Sequence, residues 1–400
     1  MNNLPRGAGH HRRARRLATQ VPRARLAVLA VITAGLLILA VGCGGLASPR
    51  SPQSTGSSPA GGTATVGAGD VSYGLVNPPR GTNGTSSRTA NGGPAREATG
   101  MDIRSGVTGG ALFGGTSTLT SEDAKLGRSL AIVRVYYQMG ELFPTRLDRR
   151  LMAQGSTMLV SLDTVPGGPT YSSIAAGSQD AAISAFLRAV NQAAVRYHLG
   201  AIYFSFEHEM NAANTHHGLG TPGQFIQAWD HIHQLAESAH VNWNDGGRIH
   251  WVFIMTHAGY VPMASREGWA RDDPSPTAFW PGDSEVDIVA ADGYNSDGCK
   301  LSGNSVTPEG LFGPLLSFAR ANGLPVFVAE WGDTPRDPGG GQATFIRQME
   351  SFVSANPEVA GVMYWNNMGR RCTFSIDNYP SAIVAMATMG HSPALQGHVI

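Results

Sequence analysis

The chain predicts an α/β fold, a (β/α)8 TIM barrel preceded by an export signal and a disordered linker. From about residue 107 onward, eight short apolar runs alternate with amphipathic stretches over roughly 280 residues, the count and size of such a barrel. The fourth run alternates with period two and ends in carboxylates, as a barrel strand pointing its last inward residues at an open mouth would. No Gly-x-Gly-x-x-Gly fingerprint follows the first run, which disfavours the doubly wound open sheet.

Residues 1–25 hold seven arginines and no acid, and the apolar run Leu26–Val41 follows. That order is the n-region and h-region of an export signal, and the run is short beside the about 20 residues of a membrane-spanning helix. The run ends Leu39-Ala40-Val41-Gly42-Cys43, which resembles a bacterial lipobox and implies lipidation of Cys43 after cleavage. Residues 1–42 are therefore assigned to the signal and 43–104 to a flexible Gly/Ser/Pro/Thr-rich linker, too poor in large apolar residues to fold.

The barrel is expected over 105–392. Its strands are 109–114, 131–137, 157–163, 201–208, 249–256, 286–292, 325–330 and 359–365. Helices are expected over 120–129, 145–154, 179–198, 222–239, 308–322 and 341–355, with the weakest helical signal between the fifth and sixth strands. On the fourth strand Ile202, Phe204 and Phe206 share the face suited to packing under helices. Ala201, Tyr203, Ser205, Glu207 and Glu209 share the face that points inward.

Charge narrows the ligand. The formal net charge is zero, but removing the seven leader arginines leaves 22 basic residues against 29 acidic ones. A mature chain that acidic argues against nucleic acid or an anionic membrane surface as partner. Membrane contact is expected only through the N-terminal anchor or signal, and the product is exported, either held at the cell membrane or secreted. With Cys43 lipidated, Cys299 and Cys372 remain as a pair in an oxidising compartment. Both fall in loops at the expected mouth, after strands six and eight. A bridge there would brace the exit of strand seven; two free thiols are the alternative.

Two glutamates carry the chemical reading. Glu209 closes the fourth run and Glu330 closes Pro-Val-Phe-Val-Ala-Glu at the seventh. Carboxylates are costly to bury unpaired, so two at the mouths of separate strands suggest acid–base work. Retaining glycosidases use such a pair about 5–5.5 Å apart, one as acid/base and one as nucleophile. Structural carboxylates at strand ends are the plainer alternative. His-Glu-Met-Asn-Ala (208–212) fails the His-Glu-x-x-His zinc pattern, and His216-His217 read as solvated loop histidines. No Gly-x-Ser-x-Gly elbow occurs. No metal and no organic cofactor are expected.

His-Glu-Met-Asn (208–211), Phe-Trp-Pro-Gly-Asp (279–283), Val-Asp-Ile-Val-Ala-Ala-Asp-Gly-Tyr-Asn (286–295) and Ala-Glu-Trp-Gly (329–332) stand in that order. In this order and spacing the chain resembles glycoside hydrolase family 26, a family of β-mannanase-type retaining glycosidases with catalytic glutamates after strands four and seven. The resemblance implies Glu209 as acid/base and Glu330 as nucleophile. It implies His208 in the environment of the acid/base, Tyr294 as a hydrogen-bond donor to the nucleophile, and Trp365 as a sugar platform. Asn211, Asp292, Trp331 and Arg134 complete the set of substrate-binding or supporting residues. Arg134 interrupts an apolar strand and, if inward, requires an anionic partner, for which Glu207 or a catalytic carboxylate would serve.

Mannanases of that family carry Arg-Pro before the His-Glu pair and a tryptophan-rich stretch after it. Here Phe206-Glu207 precede it and Ala-Ala-Asn-Thr-His-His-Gly (212–218) follows. The expected activity is a retaining endo-β-glycosidase on a β-linked polysaccharide. Mannan is the first expectation, and β-glucan or xylan are open. The rival reading is a non-catalytic surface lipoprotein that binds glycan through a degenerate barrel. A monomer is expected.

Overall fold

The structure is a computed structural model. It describes residues 101–102, 104–164, 167–212, 218–265, 274–295, 305–337, 340–367 and 372–400. The signal, most of the linker, Cys43, His216, His217 and Cys299 lie outside the described residues.

Eight parallel strands form the barrel: β1 Val107–Thr116, β2 Ile132–Gln138, β3 Thr157–Asp163, β4 Ile202–Phe206, β5 Ile249–Thr256, β6 Ile288–Asn295, β7 Val326–Asp333 and β8 Val359–Tyr364. Each pairs with the next, and β1 also pairs in parallel with β8, which closes the sheet. The longer helices are α1 Arg146–Ala153, α2 Asp180–Arg196, α3 Pro222–Ser238, α4 Pro308–Asn322, α5 Gly341–Ala355 and α6 Pro380–Gly390. Between β5 and β6 the described helices are only His257–Tyr260, Met263–Ser265 and Pro276–Phe279, as the weak helical signal there anticipates. Beyond the expected 105–392, Met101–Asp102 and the strand β9, Gln396–Val399, pair antiparallel with β1.

Helix starts follow from local chemistry. Thr145 and Asp148 form a capping box on α1, and Thr221 and Gln224 form another on α3, where Pro222 supplies a preset φ at the first turn. Such caps satisfy amide N–H groups that the helix itself cannot.

Period-two alternation divides the apolar residues into two cores. Ile202, Phe204 and Phe206 join the large outer layer between sheet and helices. Tyr203 joins the inner cluster with Leu112, Ile132, Leu159, Val252, Ile254, Ile288, Ala290 and Phe327, so the interior is filled rather than open. A Cβ on Gly361 would meet the Phe327 ring at 2.9 Å. The large residue of one strand therefore occupies the space its neighbour leaves.

Strand β7 breaks the alternation. Val326 and Val328 lie in the outer layer while Phe327 and Ala329 lie inside. Across to β6, Ala291 pairs with Val328 but Asp292 pairs with Glu330, leaving Ala329 as an extra residue. Such a bulge shifts the phase of everything after it. Glu330 consequently reaches the groups of the barrel mouth, and Trp331, fully buried, lies in the outer core.

Candidate active site at the barrel mouth

Past Phe206 the backbone of strand β4 leaves the extended form. Glu207 and Glu209 both take left-handed conformations, φ 54° and 53°, at a cost of about 1–2 kcal/mol each for non-glycine residues. The segment stays stitched to both neighbours: Glu207 N donates to Leu162 O at 3.1 Å on β3, and Glu209 N donates to Ile254 O at 3.0 Å on β5. Glu207 itself is buried, and its Oε1 accepts the Thr164 N–H. Glu209 is only partly buried.

Glu330 is held from three directions. Tyr136 on β2 donates to its Oε1, Tyr294 on β6 donates to its Oε2, and Arg134 Nη1 stands 3.1 Å from Oε1. Arg134 is completely buried and binds Asp292 Oδ1 at 2.6 Å through the same nitrogen. Of the partners the sequence offered Arg134, Glu207 or a catalytic carboxylate, the candidate nucleophile Glu330 is one it meets, and Asp292 is a second that the sequence reading did not name.

Electrostatics tie these groups together. Burial opposes the charge on Arg134, but Asp292, Tyr136 and Glu330 outweigh it and hold the guanidinium charged. Burial, reinforced by Glu330 and Glu209, pushes the Asp292 carboxyl well above the usual carboxylate range against the pull of Arg134. Burial and the same two glutamates also push up the Tyr294 phenol, which keeps it a hydrogen-bond donor. Glu209 and Glu330 thus act on the same two side chains from different strands.

His208 pairs with Asp163 at the end of β3, Nδ1 to Oδ1 at 3.0 Å, and its backbone N–H donates to the same oxygen at 3.2 Å. Burial disfavours its charge, but Asp163 prevails and the pKa is pushed up to about 10. Its ring lies 5.4 Å from the Tyr136 ring, which in turn meets Trp365 edge-on at 6.0 Å. Trp365 also stands 6.5 Å from Tyr294 and is partly exposed, so an aromatic surface borders the carboxylates.

Of the residues expected to touch or support substrate, Glu330, Arg134, Asp292, Tyr294 and Trp365 are linked by these contacts. His208 joins them through Tyr136, and Glu209 through its field. Asn211 is buried and uses both ends of its amide on Thr256, donating to Oγ1 at 2.7 Å and accepting from N at 3.0 Å. It braces the end of β5. Trp331, expected among the substrate-binding or supporting residues, does not join the mouth: the bulge at Ala329 turns it outward, where it packs against Tyr364 and Phe345 at 4.8 and 6.3 Å. Cys372 is disulfide-bonded, and its expected partner Cys299 lies outside the described residues. Among the described residues no group of three or more His, Cys, Asp or Glu is placed to hold a metal ion.

Two contributors were not singled out from sequence. Tyr136 lies two residues beyond Arg134 on one strand face, and Asp163 ends the third apolar run, so alternation would have put both at the mouth.

A closed parallel barrel with paired and hydrogen-bonded carboxylates at the C-terminal ends of its strands presents them where barrel enzymes keep their active sites. Neither a family model nor a curated protein sequence matches this chain. Among solved structures it is similar to an endo-β-1,4-mannanase double mutant from Cellulomonas fimi, with 16% identity, 71% of each chain covered and a TM-score of 0.48. It is also similar to fungal β-1,4-galactanases, with 14% identity, 70% of this chain and 94% of the other covered and a TM-score of 0.48. A third likeness is to an endo-β-1,3-glucanase from Amycolatopsis mediterranei in complex with laminaripentaose. There the identity is 14%, 70% of this chain and 100% of the other are covered, and the TM-score is 0.42. These values are too low to transfer an activity.

Proposed function

We propose that this chain is a retaining endo-β-glycosidase acting on a β-linked polysaccharide, with β-1,4-mannan as the first substrate to try. The observation that carries the reading is Glu330, a carboxylate gripped on both oxygens by Tyr136 and Tyr294 beside a buried arginine. A carboxylate so supplied with donors is fixed in direction, as a nucleophile must be.

Glu209 is the acid/base. It protonates the departing glycosidic oxygen while Glu330 attacks the anomeric carbon and forms the glycosyl-enzyme. It then takes a proton from the water that releases the sugar. Five carboxyl groups, Asp163, Glu207, Glu209, Asp292 and Glu330, gather around two cations, Arg134 and His208. Among them the Asp292 carboxyl is pushed well above the usual carboxylate range by burial, with Glu330 and Glu209 adding to it. Trp365 would offer its face to the C–H surface of a sugar ring, and His208 and Asp163 would fix the approach to Glu209.

Export belongs to the same proposal: a lipid-anchored or secreted monomer, tethered through Cys43 or released, with a bridge between Cys299 and Cys372 at the mouth. The disulfide at Cys372 supports the bridge.

Reducing-end release should be measured over β-mannan, β-glucan and xylan for the wild type, Glu330→Ala and Glu209→Ala. Turnover of one polymer is expected, with kcat lowered about 10²–10⁴-fold by loss of Glu209 and abolished by loss of Glu330. Nuclear magnetic resonance of the first product should show retained anomeric configuration. No release from any polymer, or full activity in both variants, would overturn the assignment.

A further inference from the structure

At the opposite, N-terminal end of the barrel lies an open cavity of about 310 Å³, lined by Arg104, Trp243, Asn244, Asp283, Ser284, Val286 and Asp287. Its volume falls at the small end of the about 300–1,000 Å³ typical of ligand pockets. None of these residues takes part in the mouth cluster, and nothing in the reaction above uses them.

The lining is held in place from behind. The Trp243 ring packs on His250 at 4.5 Å, and His250 stacks on Tyr203 at 5.7 Å inside the barrel. This column of three rings fixes the tryptophan without consuming its remaining surface. Asp283 Oδ1 accepts Trp280 Nε1–H at 3.0 Å, and Asp287 Oδ2 accepts Trp251 N–H at 2.8 Å. Each carboxylate is thereby aimed through one oxygen while its second oxygen is not consumed by that bond. Arg104 is anchored by a bond from Nη1 to Gly323 O at 3.3 Å.

A rigid aromatic surface combined with acceptors (Asp283, Asp287), donors (Arg104) and groups that do both (Asn244, Ser284) suits a neutral ligand with an apolar face and a rim of hydroxyls. Hydroxyls can both give and receive hydrogen bonds, so they satisfy a lining of mixed polarity that would leave part of a simple anion or cation unmatched. We propose that this cavity is a second carbohydrate site, taking one or two pyranose rings against Trp243. It would hold a polysaccharide at the end of the barrel remote from the mouth. The proposal takes its ligand class from this lining and does not require turnover at Glu330.

The test uses the full-length Glu330→Gln protein, titrated with methyl β-D-glucopyranoside and methyl β-D-mannopyranoside and observed by the indole N–H resonances in two-dimensional nuclear magnetic resonance. Trp243 should shift saturably with at least one glycoside, and amides of 283–287 should move with it. Asn244→Ala and Asp283→Ala, both at exposed positions, should each weaken that response roughly tenfold, about one hydrogen bond's worth of affinity. They should leave the Trp365 resonance unaffected. Trp243→Ala should remove the response altogether, with thermal melting as the folding control. No shift at Trp243 with either glycoside overturns the proposal. So does a shift produced by tetramethylammonium but by neither sugar, which would make the cavity a cation site. Loss of polysaccharide hydrolysis in the wild type would bear on Glu209 and Glu330 alone and leave this titration readable.

Discussion

Replacing Asp163 with asparagine isolates the charge that holds His208. In the native protein burial opposes protonation of the ring and Asp163 overcomes it, moving the pKa from 6.5 to about 10. A difference of that size corresponds to about 5 kcal/mol, at 1.36 kcal/mol per pH unit. The two side chains are 20% and 16% exposed, so solvent screening reduces the expected value to roughly 2–3 kcal/mol. The sign follows from linkage. A folded pKa raised above the unfolded one means the native state binds the proton more tightly. Its stability contribution is fully present below pH 6.5 and lost as pH rises through about 10. Asp163→Asn should therefore unfold at lower urea near pH 6, by those roughly 2–3 kcal/mol, and the gap should shrink to below about 1 kcal/mol by pH 10.5. Imidazole resonances should report the cause directly, with His208 titrating near 10 in the wild type and below 6.5 in the variant, where burial and Arg134 outweigh Asp292. A wild-type His208 that titrates near 6.5, or a stability gap constant across this range, would refute the reasoning.

Three further outcomes are expected. Arg134→Met leaves Asp292 and Glu330 without their buried cation and should cost about 3–5 kcal/mol in urea unfolding; adding Asp292→Asn should restore part of it. Trp331→Ala empties a fully buried site between β7 and α5 and should cost about 3–5 kcal/mol, while KM for the polysaccharide should stay within a few-fold of wild type because the ring is buried in the outer core. The Glu285 carboxyl is pushed up to about 7 by burial and by Asp230, so its favourable contribution is present below about 4.5 and fades as pH rises through 7. Glu285→Gln should flatten the stability profile between pH 5 and 8 and make the variant the more stable protein at the alkaline end, as read by thermal melting.

Most of the barrel was legible because its signal is local. All eight strands fall on apolar runs bounded by polar turns, and the face assignment on β4 holds because nothing interrupts the alternation between Ala201 and Phe206. The partners of Arg134 were only partly legible. A charged residue in an apolar strand announces that it needs a counter-ion, but Asp292 and Glu330 are 158 and 196 positions away, and only barrel closure chooses among the candidates. Tyr136 was overlooked although it shares the face of Arg134, because an aromatic residue in an apolar run looks like core. The structure leaves it 36% exposed, at the mouth. The orientation of Trp331 was not legible at all. It depends on one unpaired residue, Ala329, and an alanine in Val-Phe-Val-Ala-Glu-Trp carries no mark of a bulge.

That alanine has a consequence for how this strand tolerates change. Below it, side-chain direction is dictated by the filling of the barrel interior; above it, by the needs of the carboxylate cluster. The inserted position works as a clutch between two otherwise rigid gears. Were Ala329 to take a regular pairing place, the carboxylate of Glu330 would turn toward the helices and an indole would come to the mouth; deleting it instead leaves Val328 and Glu330 adjacent, still opposite Ala291 and Asp292. A one-residue gap at Ala329 should thus preserve the direction of Glu330, because the pairing on either side already skips that position.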